Sequence, residues 1–241
     1  YPDYRPDWSE VAALVTPRPR MIAINTPHNP TGTVWSADDM AALEALVRGT
    51  DIIVLADEVY EHMVFDGARH ESVARFPGLR QRAFIVSSFG KTYHITGWKI
   101  GYCLAPAALM AEFRKIHQFN VFAVNHPMQR ALADFMTEEP GFATGLVAFY
   151  QAKRDVFRAL LAGTRLNPLP CAATYFQLAS YNGLYNERDT DFAVRLTREF
   201  KVAAIPVSVF HPEEEDHHVV RFCFAKNEDT LAAAGERLRA V

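Results

Sequence analysis

Apolar and polar positions fall into short blocks along this chain, and two kinds of block alternate. Apolar runs within 20–25, 51–56 and 83–87 have strand length, and each stops at polar residues. Between the first two, Met40, Leu43, Leu46 and Val47 recur at helical spacing behind Ser36, with Asp39 three positions on forming a near capping box. Strand, helix, strand in this order predicts a βαβ unit, hence a parallel sheet covered on both faces. A further strand over 98–104 is placed to pair with 83–87.

From Pro106 the period becomes helical, over 107–118, near 128–137 and then from 141 to about 161. Beyond it the pattern predicts strands at 175–179, 202–205 and 219–224, a helix at 191–200 and a last helix from Glu228. The fold class expected is α/β. A mostly parallel sheet sandwiched by helices occupies residues 1–143, and a smaller C-terminal α+β domain, begun by the long linking helix, occupies 144–241.

Composition narrows the function. Of 241 residues 49% are hydrophobic, enough for a sizeable core, and the net charge of −3 comes with no basic stripe, which argues against nucleic acid as partner. Cys103, Cys171 and Cys223 are few, odd in number and outside any CxxC spacing, so a reduced, cytoplasmic compartment is expected. No apolar run approaches membrane-spanning length. The chain opens at Tyr1 inside an apparent loop, without an initiator Met, and is expected to be a fragment.

Its chemistry centres on Ser88-Phe89-Gly90-Lys91, directly after the strand at 83–87. A lysine at a strand's C-terminal end suits a phosphate cradle or a Schiff base. A P-loop needs glycine at position 85, where this chain has Ile85, so the phosphate-cradle reading fails. A Schiff base needs a partner for a ring nitrogen, donors to a phenolate oxygen and a grip on one phosphate. Polar residues end the strands at Asn29, Asp57 and Lys91, where open parallel sheets place ligands.

Four separated segments carry a family resemblance: Asn29-Pro30-Thr31-Gly32, Asp57-Glu58-Val59-Tyr60, Ser88-Phe89-Gly90-Lys91 and Trp98-Lys99-Ile100-Gly101-Tyr102. In order and content they resemble the motifs of class I pyridoxal-phosphate aminotransferases, nearest the kynurenine and methionine branch. Arg221-Phe222-Cys223-Phe224-Ala225-Lys226 is similar to that family's late carboxylate-binding strand. The resemblance implies the pyridoxal-phosphate transferase fold, incomplete at its N-terminal side, with pyridoxal 5′-phosphate as cofactor. It also implies amino-acid and 2-oxo-acid substrates and a homodimer.

Residue by residue, the resemblance makes Lys91 the Schiff-base lysine and general base, and Asp57 the partner of the pyridine nitrogen. Tyr60 and Asn29 become donors to the phenolate oxygen, Ser88 and Lys99 phosphate ligands, and Arg221 the binder of the substrate carboxylate, with Asn29 beside it. Many relatives have arginine where Lys99 stands, and lysine keeps the charge without the bidentate fork. Asp57 and Tyr60 would face opposite ways on an unbroken strand, so the chain must bend after Asp57.

Plainer readings stand beside these: a surface lysine at Lys99, a structural ion pair at Arg221, a core tyrosine at Tyr60 or Tyr175. His211, His217 and His218 flank Glu213-Glu214-Glu215-Asp216, which reads as a solvated loop rather than a metal site, and no metal is expected. The function expected is transamination of an aromatic, methionine-like or kynurenine-type amino acid with a 2-oxo acid. The alternatives are a carbon–sulfur β-lyase of the same fold and an inactive truncated copy.

Overall fold

The computed structural model describes residues 1–16, 18–211 and 215–241. Helix α1 (Trp8–Leu14), capped by Asp7, leads into strand β1 (Met21–Asn25), helix α2 (Ala37–Val47) and strand β2 (Ile53–Asp57). A short helix α3 (Pro77–Arg80) precedes β3 (Ala83–Ser88), which runs directly into the single turn α4 (Phe89–Thr92), and β4 (Gly101–Leu104) follows. The four strands form one sheet in the order β1-β2-β3-β4. β1, β2 and β3 are parallel, as the βαβ pattern predicts, and β4 returns antiparallel to β3.

The expected strand at 98–104 loses its first residues. Thr96–Trp98 wind into a tight helical turn and Lys99 takes a left-handed conformation, so pairing starts only at Gly101. There the strands approach closely: a Cβ on Gly101 would sit 2.6 Å from the Ser87 carbonyl oxygen, a spacing only glycine permits. Helix α1 was not foreseen, although Asp7 and Glu10 carry its start signal. Its Trp8 packs edge-on against Trp35 and hydrogen-bonds Asp39.

On one face of the sheet, Met40, Leu43 and Val47 of α2 pack with Val54, Ala56, Ile85, Val73 and Leu79 into a closed core. The other face is covered by a helix as well, as expected, but less tightly. A groove lined by Ile53, Leu55, Phe84, Phe113 and Ile116 runs between the sheet and helix α5 (Ala107–Asn120), which is followed by α6 (His126–Glu138).

Helix α7 (Phe142–Leu161) then carries the chain to a second, antiparallel sheet in the order β5-β6-β8-β7. Its strands are β5 (Asn167–Pro168), β6 (Phe176–Ser180), β7 (Ile205–Pro206) and β8 (Val219–Cys223). Helix α8 (Asp189–Arg198) lies between β6 and β7, and α9 (Glu228–Leu238) ends the fold. The largest apolar core joins this sheet to α7, α8 and α9, and takes in Tyr60, Met63 and Phe65 from the other half. The strand expected at 202–205 is a two-residue pairing at Ile205–Pro206 against Val220 and Arg221, because Val202 turns in to fill this core. Among the described residues no helix is long and apolar enough to cross a membrane.

Candidate active site

The polar ends of β1, β2 and β3 converge. Asn25 and Asp57 are register partners, and Asp57 is in turn paired with Val86, two residues before Ser88. Asn29, Asp57, Tyr60, Ser88 and Lys91 line one cleft of about 360 Å³. Three separate sequence segments therefore meet, because parallel strands end at the same side of their sheet.

Local chemistry places each residue. Past β1 the chain turns through Pro27 and Pro30 to Gly32, which has φ of 72° and lies so close to the next layer that a Cβ would meet the Ala173 carbonyl oxygen at 3.0 Å. The Asn25 side chain ties this turn to β2: its Nδ2 donates to the Asp57 carbonyl at 3.0 Å, and its Oδ1 accepts from the Asn29 N–H at 2.9 Å. After Asp57 two tight turns follow, Glu61 N–H to Glu58 carbonyl and Met63 N–H to Tyr60 carbonyl, each at 2.9 Å. This is the bend the sequence demanded, and it brings Tyr60 to the same cleft as Asp57.

Glu58 anchors that bend. It is 1% exposed, accepts from the Val73 N–H at 2.8 Å and pairs with His70 Nε2 at 2.9 Å. Glu61 holds the neighbouring strands, accepting from Ser87 Oγ at 3.0 Å and from the Tyr102 hydroxyl at 2.5 Å. Burial, with Glu61 alongside, pushes the Tyr102 phenol up from its ordinary value, so it stays protonated as a donor. Neither glutamate nor Asn25 was singled out from sequence. The one available signal was position: each lies in or next to a segment where an apolar run ends in polar residues.

The Asp57 carboxylate is half-buried. Burial raises its pKa above the usual carboxylate range, opposed by the Val59 N–H at 3.1 Å and by the charge of Lys91. Burial, with Tyr175 close by, likewise holds the Tyr60 phenol above its ordinary value. Tyr175 sits edge-on to Tyr60 with centroids 5.3 Å apart, and the Lys91 ammonium lies 5.9 Å from the Tyr175 ring centre. Tyr175 thus belongs to the site's wall as well as to the aromatic core.

Arg221 reaches the site from β8. Its Nη1 donates to Asn29 Oδ1 at 2.5 Å, and its guanidinium lies 4.0 Å from the Phe176 ring centre. The bond to Arg221 occupies the amide oxygen of Asn29 and leaves Nδ2 as its donor end. Burial lowers the Arg221 pKa, and its Nε is buried without a hydrogen-bond partner. The expected alternative, an ion pair with a glutamate, does not occur among the described residues.

Of the two expected phosphate ligands, Ser88 lines the cleft and Lys99 does not. Ser88 Oγ caps α4, accepting from the Gly90 N–H at 3.1 Å, while its hydroxyl proton remains a donor. Lys99 is exposed and is not among the residues lining the cleft. His211, Glu215 and His217 bring potential ligand atoms within 4.8 Å of one another, and Tyr1 stacks on His217 at 4.6 Å. Glu213 and Glu214 of the acidic run lie outside the described residues.

A half-buried carboxylate with one N–H bond and a partly desolvated guanidinium with an unpaired Nε are costly unless a ligand supplies further opposite charge. A cationic ring nitrogen against Asp57 and a carboxylate against Arg221 would do so. The donor set therefore fits pyridoxal 5′-phosphate and an amino acid.

The family model for class I and II aminotransferases matches residues 1–238. The chain is 51% identical to a methionine aminotransferase of Escherichia coli over 238 residues, 99% of this chain and 62% of the relative. It is 34% identical to human kynurenine–oxoglutarate transaminase 1, covering 97% of this chain and 60% of that one. The crystal structure of YbdL from Escherichia coli, described with a methionine aminotransferase function, superposes with a TM-score of 0.97 at 51% identity, covering 100% of this chain and 64% of that chain. An N-succinyldiaminopimelate aminotransferase from Mycobacterium tuberculosis follows at a TM-score of 0.92 and 38% identity, covering 97% and 61%. The chain thus spans about three fifths of the length of the curated relatives it matches. By the family match over nearly its whole length, it belongs to the class I and II aminotransferases.

Proposed function

We propose that the protein represented by this chain moves the amino group of an amino acid to a 2-oxo acid, with pyridoxal 5′-phosphate held in the cleft at the ends of β1, β2 and β3. The observation that carries the reading is the convergence of Asn29, Asp57, Tyr60 and Lys91 on one cleft, with Arg221 brought onto Asn29 across 192 residues of sequence.

Bound there, the cofactor supplies an electron sink for negative charge at the substrate's α-carbon. Asp57 would pair with the ring nitrogen and keep it protonated. Asn29 Nδ2 and the Tyr60 hydroxyl would donate to the phenolate oxygen. Lys91 would hold the cofactor's carbonyl carbon and would serve as the general base for the substrate's α-proton. Ser88 would donate to the phosphate, with Lys99 as its expected cationic partner. Arg221 receives the substrate carboxylate through its unpaired Nε and remaining guanidinium N–H groups.

Residues 1–143 form part of the cofactor-binding domain and 144–241 the smaller domain, and the working unit is a homodimer. The donor is sulfur-containing or aromatic, in keeping with the methionine and kynurenine enzymes among the relatives.

The test is the visible absorbance of the purified chain after adding pyridoxal phosphate, beside Lys91→Ala. A band that needs Lys91 is expected, and equal bands in both proteins would overturn its assignment. Incubation with methionine and a 2-oxo acid should then yield the keto acid of methionine. Release of a thiol instead would favour elimination over transamination.

A further inference from the structure

A second group of chemically able side chains lies between β7 and β8. A ring nitrogen each of His211 and His217 and a carboxylate oxygen of Glu215 lie within 4.8 Å of one another. Spacing along the chain reads there as a solvated loop. The fold changes that reading by holding both ends of the segment on one residue, Asp189, which is 1% exposed. Its carboxylate accepts from the Ser208 N–H at 2.7 Å and from Ser208 Oγ at 2.6 Å, and the His211 N–H donates to the Ser208 carbonyl at 2.9 Å. At the other end Asp216 accepts from the Asp189 N–H at 2.9 Å and from the His218 N–H at 2.7 Å. An ion bound between these ends closes a short, already anchored loop, so little chain entropy opposes it.

The rings are positioned as well. Tyr1 stacks on His217 with centres 4.6 Å apart, and Tyr4, packed on the core of Leu169, Leu178, Val207 and Val219, lies 6.2 Å from His211. The two imidazoles stand at 80° with centres 5.4 Å apart, so their nitrogens approach one point from different directions. His217 Nε2 is 3.7 Å from Glu215 Oε2. Two ligands about 2.1 Å from a tetrahedral ion are about 3.4 Å from each other, close to this separation. Both carboxylate oxygens of Asp216 are engaged by backbone N–H groups, which leaves three ligands.

Two imidazoles and one carboxylate suit a borderline divalent ion such as Zn²⁺, whereas Mg²⁺ and Ca²⁺ take oxygen ligands. We infer that His211, Glu215 and His217 form a binding site for Zn²⁺ or a similar transition-metal ion, with the fourth position open to water. None of the three lines the Asp57 cleft. The site therefore stands or falls separately from the proposed transamination.

The probe is Zn²⁺ added to the untagged 241-residue chain and followed by calorimetry, with the visible absorbance of Co²⁺ as a second reading of coordination. One ion per chain is expected. His211→Ala and His217→Ala should each weaken binding about tenfold or more, and Glu215→Gln about three- to tenfold. His126→Ala, at an exposed histidine that begins α6, should leave binding unchanged, and excess Mg²⁺ should not compete. The inference is overturned if the wild-type chain takes up no Zn²⁺, or if both His211→Ala and His217→Ala bind it as tightly as wild type. An equal loss in His126→Ala would mean scattered surface binding, and competition by Mg²⁺ would mean binding by carboxylates alone; either result also overturns it.

Discussion

The two halves of the molecule close their apolar surfaces to different degrees. All five residues of β6 are buried, and Phe192 of α8 is fully enclosed, stacked on Tyr181 with ring centres 3.9 Å apart. Helix α5, by contrast, buries no residue, and Ile116, Phe119 and Phe122 along and just past it are 72%, 87% and 78% exposed. Both helices carry apolar residues at helical spacing. Such a stripe states only that one side of a helix avoids water; which surface meets it depends on what the rest of the fold brings there.

The comparison is sharpened first by removing a ring from the closed half. Phe192→Ala should cost about 3–5 kcal/mol, through lost burial and the cavity left against Tyr181 and Tyr185. Chemical denaturation measures it, and a cost below about 1 kcal/mol would mean that this half is no better closed than α5. Glu58→Ala comes next: the Val73 N–H and His70 would lose a buried acceptor, at about 1–3 kcal/mol. Because Glu58 fixes the bend after Asp57, the same variant should weaken the cofactor absorbance, whereas Phe192→Ala should leave its position unchanged.

The capping box of α2 gives a smaller effect with a pH signature. Burial would raise the Asp39 carboxyl, but hydrogen bonds from Ser36 and Trp8, with the Arg5 charge, outweigh it and hold its pKa below the ordinary 3.8. Its contribution is therefore full above that value and is lost as pH falls through the lowered native one. Asp39→Asn should cost about 1 kcal/mol at neutral pH, the scale of a helix cap, and the gap to wild type should close in acid. A gap that persists at low pH would separate the cap from the charge. Smallest of all is Phe119→Ser, expected to change stability by less than about 0.5 kcal/mol while reducing self-association in sedimentation measurements. A large loss of stability would show that the exposed stripe of α5 is packed in solution.

Sequence alone determined whatever depends on neighbours along the chain. The βαβ order, the Ser36–Asp39 box and the polar ends of the first three strands follow from local spacing, and parallel pairing then sets Asn29, Asp57 and Lys91 at one side of the sheet. Motif order sufficed for the family. Only the tertiary structure decided the rest: the bond from Arg221 to Asn29, the part of Tyr175 in the wall beside Lys91, and the hold of Glu58 and Glu61 on the strand ends. The same is true of the position of Lys99 outside the cleft lining and of the bare stripe on α5. The physical reason is one of range. Helix caps, strand lengths and turns are set by backbone groups a few residues apart, whereas desolvation and charge pairing depend on groups that the fold alone brings within a few ångströms.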